Sequence, residues 1–131
     1  MHYYHGVVHK DDDSAFGVYF PDLPGCFSAA DKLDTVVREA TYAVSLYFDD
    51  NSKSILPSSL EAIRDTAHED LASGAFLILV PFIPNATTPT RINISLDAGI
   101  LAAIDMAASH RKLTRSAFLA HAARNEIEGR Q

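Results

Sequence analysis

Three polar side chains alternate with apolar ones in the segment Arg91-Ile92-Asn93-Ile94-Ser95-Leu96. An extended strand would place Arg91, Asn93 and Ser95 on one face, because successive side chains of a strand point to opposite sides. Arginine donates hydrogen bonds to guanine, asparagine pairs with adenine, and a two-stranded ribbon fits the major groove of DNA. We therefore predict a strand that contacts DNA bases, with an ordinary solvated edge as the alternative.

Two helices are predicted to follow this strand. Asp97 is placed to cap the first helix, whose apolar residues recur at helical spacing until the chain reaches His110. Thr114 is placed to cap the second helix, so the backbone amides at Thr114, Arg115 and Ser116 lack partners inside it. Such amides suit a phosphate, and we expect these three residues to contact the DNA backbone.

This C-terminal segment of about 42 residues has too little core to fold alone without a disulfide or a metal. Two copies could pair their strands antiparallel and bury Ile92, Ile94 and Leu96 beneath the resulting ribbon. Arg91, Asn93 and Ser95 would then appear twice on the opposite face, in two-fold symmetry. We predict a homodimer formed by this segment, and the sequence leaves open whether two dimers join as a tetramer.

The N-terminal half begins with a predicted β-hairpin. Residues 3–10 and 15–20 are rich in Val, Tyr and Phe, and the polar residues 11–14 between them favour a turn. A proline-rich loop over residues 21–25 precedes a short third strand near residues 26–30. Apolar residues then recur every three or four positions from Leu33 to Phe48, which predicts an amphipathic helix with Asp31 as its N-cap.

A second helix and a further strand are predicted in the rest of the N-terminal half. Ser58 and Glu61 match a capping box, and the helix should end near Ser73, before Gly74. Residues 75–83 form an apolar run that indicates a fully buried strand. Residues 84–89 have a proline at each end and no apolar periodicity. We therefore predict domains at residues 1–84 and 91–131, joined by a linker at residues 85–90.

The net charge of −6 conceals an asymmetry between the two halves. Residues 1–85 contain 5 Lys and Arg against 13 Asp and Glu, whereas residues 86–131 contain 6 against 4. An acidic first half does not suit nucleic acid, and it favours a basic partner. The single cysteine, and the lack of a signal-like or membrane-length apolar run, favour a cytoplasmic protein that does not bind membranes.

Few residues of the N-terminal half suit catalysis. A nuclease would need clustered carboxylates to hold metal ions, and the predicted strands contain no Asp or Glu. His2, His5 and His9 would suit a metal on a helix, but in a strand His2 points away from the other two. Cys26 lacks a recognisable histidine partner and is predicted to be a small core residue. We expect no catalytic residue, metal or cofactor, with a weak metal-dependent nuclease as the alternative.

Two parts of the sequence resemble known families. The stretch from Arg91 to Glu128, with Leu113-Thr114-Arg115-Ser116 opening its second helix, resembles a ribbon-helix-helix DNA-binding domain. The segment Tyr19-Phe20-Pro21-Asp22-Leu23-Pro24-Gly25-Cys26, followed by Ala30-Asp31 and an amphipathic helix, resembles the HicB antitoxin family. The resemblance implies an α+β protein, with a reduced ribonuclease H-like sheet-and-helix domain followed by a ribbon-helix-helix (β-α-α) dimerisation domain.

The resemblance also implies a function. The N-terminal domain would bind and neutralise a HicA-type toxin that cleaves mRNA, and the C-terminal domain would repress its own operon by binding operator double-stranded DNA. On this basis we predict toxin contacts at Asp22, Leu23, Pro24 and Phe27. A hydrogen bond that the Asp22 carboxylate accepts from neighbouring amides, stabilising its own loop, is an alternative for that residue. The alternative function is a stand-alone transcription factor whose N-terminal domain senses a ligand or a protein.

Overall fold

The computed structural model describes residues 1–50, 54–84 and 89–129. The chain divides into two compact units, Met1–Pro84 and Asn85–Gln131. Within the predicted linker at 85–90, residues 85–88 lie outside the described residues. The fold is mixed α+β, with one four-stranded antiparallel sheet and several helices. Every helix in the described ranges is too short or too polar to cross a lipid bilayer.

The first unit is built on the sheet. Its strands are β1 (His2–His9), β2 (Phe16–Tyr19), β3 (Phe27–Ala30) and β4 (Phe76–Phe82), arranged in the order β3-β2-β1-β4. β1 pairs with β2 through Val8 opposite Val18, and with β4 through Gly6 opposite Ile78. The predicted hairpin and third strand are confirmed. β1 and β2 occupy the centre, so β3 and β4 form the two edges.

Gly6 lies where the sheet and its packing leave no room for a side chain. A Cβ atom at this position would lie 2.9 Å from Cγ1 of Val18 and 3.1 Å from Cε1 of Phe20. Both neighbours belong to the buried core, so neither can move aside without disturbing other contacts. Glycine is therefore required in the central strand despite its low intrinsic preference for extended structure.

A single long helix covers one face of the sheet. A 3-10 turn (Leu33–Thr35) leads into α1 (Val36–Asp50), which buries Val36, Ala40 and Val44 against the strands. The prediction of Asp31 as N-cap is wrong, because the turn follows Lys32 and no side chain caps it. Leu33 is exposed, so the apolar stripe of the helix contributes to the core only from Val36 onward.

Two short helices, α2 (Leu60–Thr66) and α3 (His68–Ala72), stand before β4. The predicted N-cap at Ser58 is wrong by one residue: the hydroxyl of Ser59 accepts the amide of Ala62 at 3.2 Å. The prediction of one helix is wrong, because the helix is divided at Ala67. Its predicted end is confirmed, since α3 stops at Ala72 and Gly74 adopts a left-handed φ of 105°. Side chains other than glycine rarely adopt this φ, which explains the residue type.

The prediction of a fully buried β4 is wrong, because only Val80 and Pro81 of its seven residues are buried. Phe76 and Leu79 are 41% and 51% exposed, whereas Val80 is completely buried. The reason is the position of β4 at the edge of the sheet, where it has a strand neighbour on one side only. An uninterrupted apolar run therefore does not distinguish a central strand from an edge strand.

The second unit contains α4 (Ala98–His110) and α5 (Arg115–Ile127), which confirms the two predicted helices. Asp97 caps α4 by accepting the amide of Ile100 at 2.9 Å, and Thr114 caps α5 by accepting the amide of Ala117 at 3.1 Å. The single chain lacks the strand predicted at residues 91–96. A strand requires a hydrogen-bonded neighbour, and no described segment pairs with these residues.

Candidate functional site

The segment before α4 presents its side chains to solvent. Arg91, Asn93 and Ser95, the residues predicted to contact DNA bases, are all exposed. The alternating residues Ile92, Ile94 and Leu96 are also exposed, at 73%, 57% and 42% of their surface. In the single chain both polar and apolar side chains of this segment are therefore available for contact.

Uncovered apolar surface extends along the helices of the same unit. Ile100 and Met106 on α4 and Ile127 on α5 are large side chains that are also exposed. Among residues 89–129 only Ala108 and Glu128 are buried. So small a core contributes little free energy of folding, because apolar burial is the main stabilising term.

The start of α5 brings together the three residues predicted to contact phosphate. Thr114 is occupied as the helix cap, and Ser116 is exposed in the first turn. The guanidinium of Arg115 donates two hydrogen bonds to Asp105, from Nε to Oδ1 and from Nη2 to Oδ2, both at 2.8 Å. The side chain of Arg115 therefore joins α5 to α4, and its backbone amide lies in the first turn of α5.

The ion pair between Arg115 and Asp105 also affects the titration of both groups. The hydrogen bonds from Arg115 lower the pKa of the Asp105 carboxyl, and the same bonds raise the pKa of Arg115. Both side chains are about half exposed, so solvent screens their attraction. The ion pair therefore contributes little to the stability of the fold, and its main effect is to hold the guanidinium of Arg115 in one orientation.

The four residues predicted to contact a toxin differ widely in exposure. Pro24 and Phe27 are exposed, and Phe27 has 70% of its surface available. Leu23 is fully buried in the core, so its side chain is not presented at the surface. Asp22 accepts hydrogen bonds from the amide and the hydroxyl of Ser58, at 2.7 and 2.6 Å. Its partner is therefore a distant segment and not the neighbouring amides of the alternative.

A groove between β3 and α1 contains residues that the sequence did not single out. Its volume is about 570 Å³, and residues 24–29 form one wall. The other wall is a face of α1 that includes Glu39, Tyr42, Leu46 and Asp50. These four residues lie three or four positions apart, which places them on one side of a helix. That spacing was visible in the sequence, but the stronger buried stripe of the same helix obscured it.

Cys26 is one of the residues that line this groove, and it is buried. Removal from solvent raises the pKa of its thiol to about 11, so the reactive thiolate is scarce near neutral pH. The prediction of a small core residue is confirmed. Across residues 1–50, 54–84 and 89–129, no three His, Cys, Asp or Glu side chains cluster in a way that would hold a metal ion.

Three known proteins show what this chain is similar to. A UPF0150 protein of Archaeoglobus fulgidus is 37% identical over 43 residues, which are 33% of this chain and 62% of that protein. The crystal structure of the Burkholderia pseudomallei antitoxin HicB is 30% identical, with a TM-score of 0.55, and the match covers 94% of this chain and 96% of that one.

A chain of the solved HicA3 and HicB3 toxin-antitoxin complex has a TM-score of 0.50 and covers 63% of this chain and 100% of its own length. Its identity of 22% makes this a likeness of fold alone. The model of the family described as HicB_like antitoxin of bacterial toxin-antitoxin system matches residues 4–123. This match spans both units of the chain, which therefore belongs to the HicB-like antitoxin family.

Proposed function

We propose that this chain is a non-enzymatic antitoxin with two separate tasks. The unit Met1–Pro84 binds and neutralises a HicA-type toxin that cleaves mRNA. The unit Asn85–Gln131 dimerises as a ribbon-helix-helix domain and binds operator DNA, which represses the operon of the pair. The observation that supports the second task best is the uncovered apolar surface around Ile92, Ile94 and Leu96.

Dimerisation follows from that surface. A two-helix unit with two buried residues among those described cannot offset the entropy of ordering its backbone. A second copy pairs its segment 91–96 antiparallel with the first, which satisfies the backbone groups of both and turns Ile92, Ile94 and Leu96 toward the four helices. Burial of three large apolar side chains per copy contributes about 5 kcal/mol or more to the dimer.

The same pairing creates the DNA-binding face. Arg91, Asn93 and Ser95 from both copies form one ribbon surface, which enters the major groove and contacts base edges. The backbone amides near Thr114 and Ser116 bind a flanking phosphate on each side. Residues 86–131 hold only two more basic than acidic side chains, so two copies double a modest positive charge at one operator.

The charge of the first unit supports the toxin partner. Residues 1–85 hold 13 acidic against 5 basic side chains, which favours association with a basic, RNA-binding protein. A chain of the HicA3 and HicB3 toxin-antitoxin complex has a similar fold. We therefore propose that the toxin of this chain is of the same type and is encoded beside it.

Co-purification with the product of the neighbouring gene tests the first task. We expect an untagged basic polypeptide to elute with the tagged chain and to lose its RNA-cleaving activity in the complex. A neighbouring product that neither binds the chain nor cleaves RNA would contradict the antitoxin proposal and favour a stand-alone transcription factor.

Sedimentation tests the second task. We expect the full chain to sediment as a dimer or larger, and Ile94→Asp to dissociate the dimer, since it would place a carboxylate in the buried ribbon face. Tyr42→Asp, an equally drastic change at an exposed position of the first unit, is the control and should leave the dimer intact. A wild-type monomer at micromolar concentration would contradict the ribbon proposal.

A further inference from the structure

The groove between β3 and α1 combines three features that are typical of a protein-binding surface. The first is an open sheet edge, because β2 is the only sheet neighbour of β3 among the described residues. One side of an edge strand has backbone groups that do not pair within the sheet. Apolar patches next to such an edge, with a polar rim, mark interaction sites.

The second feature is a set of apolar side chains that project from both walls. Phe27 on β3 is 70% exposed, and Tyr42 and Leu46 on α1 are 58% and 45% exposed. All three line the same groove of about 570 Å³. Aromatic residues gathered around a concave surface are typical of positions that dominate binding energy.

The third feature is the charge of the rim. Glu39 and Asp50 line the groove, and among its described lining residues there is no Lys, Arg or His. Glu39 forms an ion pair with Arg38 at 3.5 Å, but both side chains are solvent-exposed, so the pair contributes little. A partner with basic side chains around an apolar projection fits this combination.

The opposite edge of the sheet fits such a partner less well. β4 also exposes Phe76 and Leu79. However, the cavity at its N-terminal end is lined by His9 and Lys10 as well as by Asp11 and Asp70. Mixed charge gives no preference for a partner of one sign, so the two edges differ in the partner they select.

We infer that the β3–α1 groove is the surface on which the basic toxin docks, an inference that rests on the proposed function. An apolar side chain of the toxin packs among Phe27, Tyr42 and Leu46, and its basic residues approach Glu39 and Asp50. Of the predicted toxin contacts, Pro24 and Phe27 belong to this surface, and Asp22 and Leu23 do not.

Calorimetric titration of the full-length chain with the basic polypeptide encoded by the neighbouring gene tests the assignment. We expect Phe27→Asp and Tyr42→Ala each to raise the Kd at least about thirtyfold, as expected when a central aromatic contact is lost. Leu79→Asp is the matched control, because it places the same charge at an exposed apolar position of the other edge strand. It should change the Kd by less than about threefold.

The rim is tested by reversing its charge. We expect Glu39→Lys combined with Asp50→Lys to slow association about tenfold at low salt, and this difference should shrink as salt is added. Lys10→Glu, a charge reversal outside the groove, is the control and should not slow association. Equal association rates for the double variant and the wild type would contradict the electrostatic part of the proposal.

The binding of the wild type and of the variants tests the groove assignment and the antitoxin function separately. If the wild type binds the polypeptide but the groove variants bind equally well, the groove assignment fails and the antitoxin function stands. If Leu79→Asp alone loses binding, the toxin docks on the β4 edge and the assignment is also wrong. If the wild type does not bind at all, both proposals fail. Thermal unfolding followed by circular dichroism verifies that each variant is folded.

Discussion

Asp22 and Ser58, which are 36 positions apart, form two hydrogen bonds with each other. The Asp22 carboxylate accepts the backbone amide of Ser58 at 2.7 Å and its hydroxyl at 2.6 Å. These bonds fasten the loop after β2 to the segment that leads into α2. They also explain why Ser58 does not cap that helix, since its hydroxyl is directed to Asp22 and Ser59 takes the capping position.

Replacement of Asp22 should therefore destabilise the first unit. We expect Asp22→Ala to lower the free energy of unfolding by about 2 kcal/mol, because hydrogen bonds to a charged group are lost and a partly buried amide loses its acceptor. Asp22→Asn should cost less, since the amide oxygen still accepts one bond. Urea unfolding measures the effect, and Asp12→Ala in the exposed turn should change stability by less than about 0.5 kcal/mol. Equal effects at both positions would contradict this role.

Replacement of Asn93 should affect the two proposed tasks differently. We expect Asn93→Ala to raise the Kd for operator DNA at least about tenfold, because each bidentate contact to adenine contributes about 1–3 kcal/mol of discrimination. Neutralisation of the toxin should be unchanged, since the substitution lies in the other unit. Electrophoretic mobility shift and a toxicity assay measure the two effects, with Asn125→Ala as control. Lost neutralisation with normal operator binding would contradict the proposed division.

The hydrogen bond between Tyr19 and Asp70 leads us to expect that the free energy of unfolding falls at alkaline pH. Burial and the hydrogen bond that the phenol donates to Asp70 raise the pKa of Tyr19 to about 12, from an ordinary value of 10.0. The folded chain holds this proton more tightly than the unfolded chain, so the stabilisation is complete below pH 10 and is lost as the pH rises toward 12.

Paired measurements check this behaviour. The stability advantage of the wild type over Tyr19→Phe should shrink between pH 10 and pH 12, and Asp70→Asn should lower the pKa of Tyr19 in an ultraviolet absorbance titration. A difference between wild type and Tyr19→Phe that stays constant across this range would show that the phenol is not held by Asp70.

Cys26 should resist modification in the folded chain. With a pKa of about 11, only about one thiol in a thousand is ionised at pH 8, and the side chain is also buried. We expect a disulfide reagent to label native protein at least about a hundredfold more slowly than protein in urea. Equal rates in the two conditions would show that the loop before β3 opens readily.

Local signals in the sequence predicted local structure well. The caps at Asp97 and Thr114 form as expected, because a capping side chain bonds to an amide only a few residues ahead. Gly74 ends its helix for an equally local reason. Signals with a competing long-range partner failed, as at Ser58, whose hydroxyl bonds to a residue far away in the sequence.

For the predicted binding residues too, the sequence indicated local features and missed contacts between distant residues. The exposure of Arg91, Asn93 and Ser95 agrees with a polar surface, but the sequence did not show that the Arg115 guanidinium is held by Asp105. Leu23 was grouped with exposed neighbours although it is buried. A run of adjacent residues does not reveal which side chain turns inward, since that depends on the path of the loop.

The sequence by itself determined the helices of the second unit and their caps, the hairpin, and the charge of each half, because these depend on residue type and short-range spacing. Only the tertiary structure decided that β3 and β4 are the sheet edges, that Phe76 and Leu79 are uncovered, and that Phe27 and Tyr42 line one groove. Strand order and the packing of a helix over a sheet bring distant residues together, and no local pattern encodes those contacts.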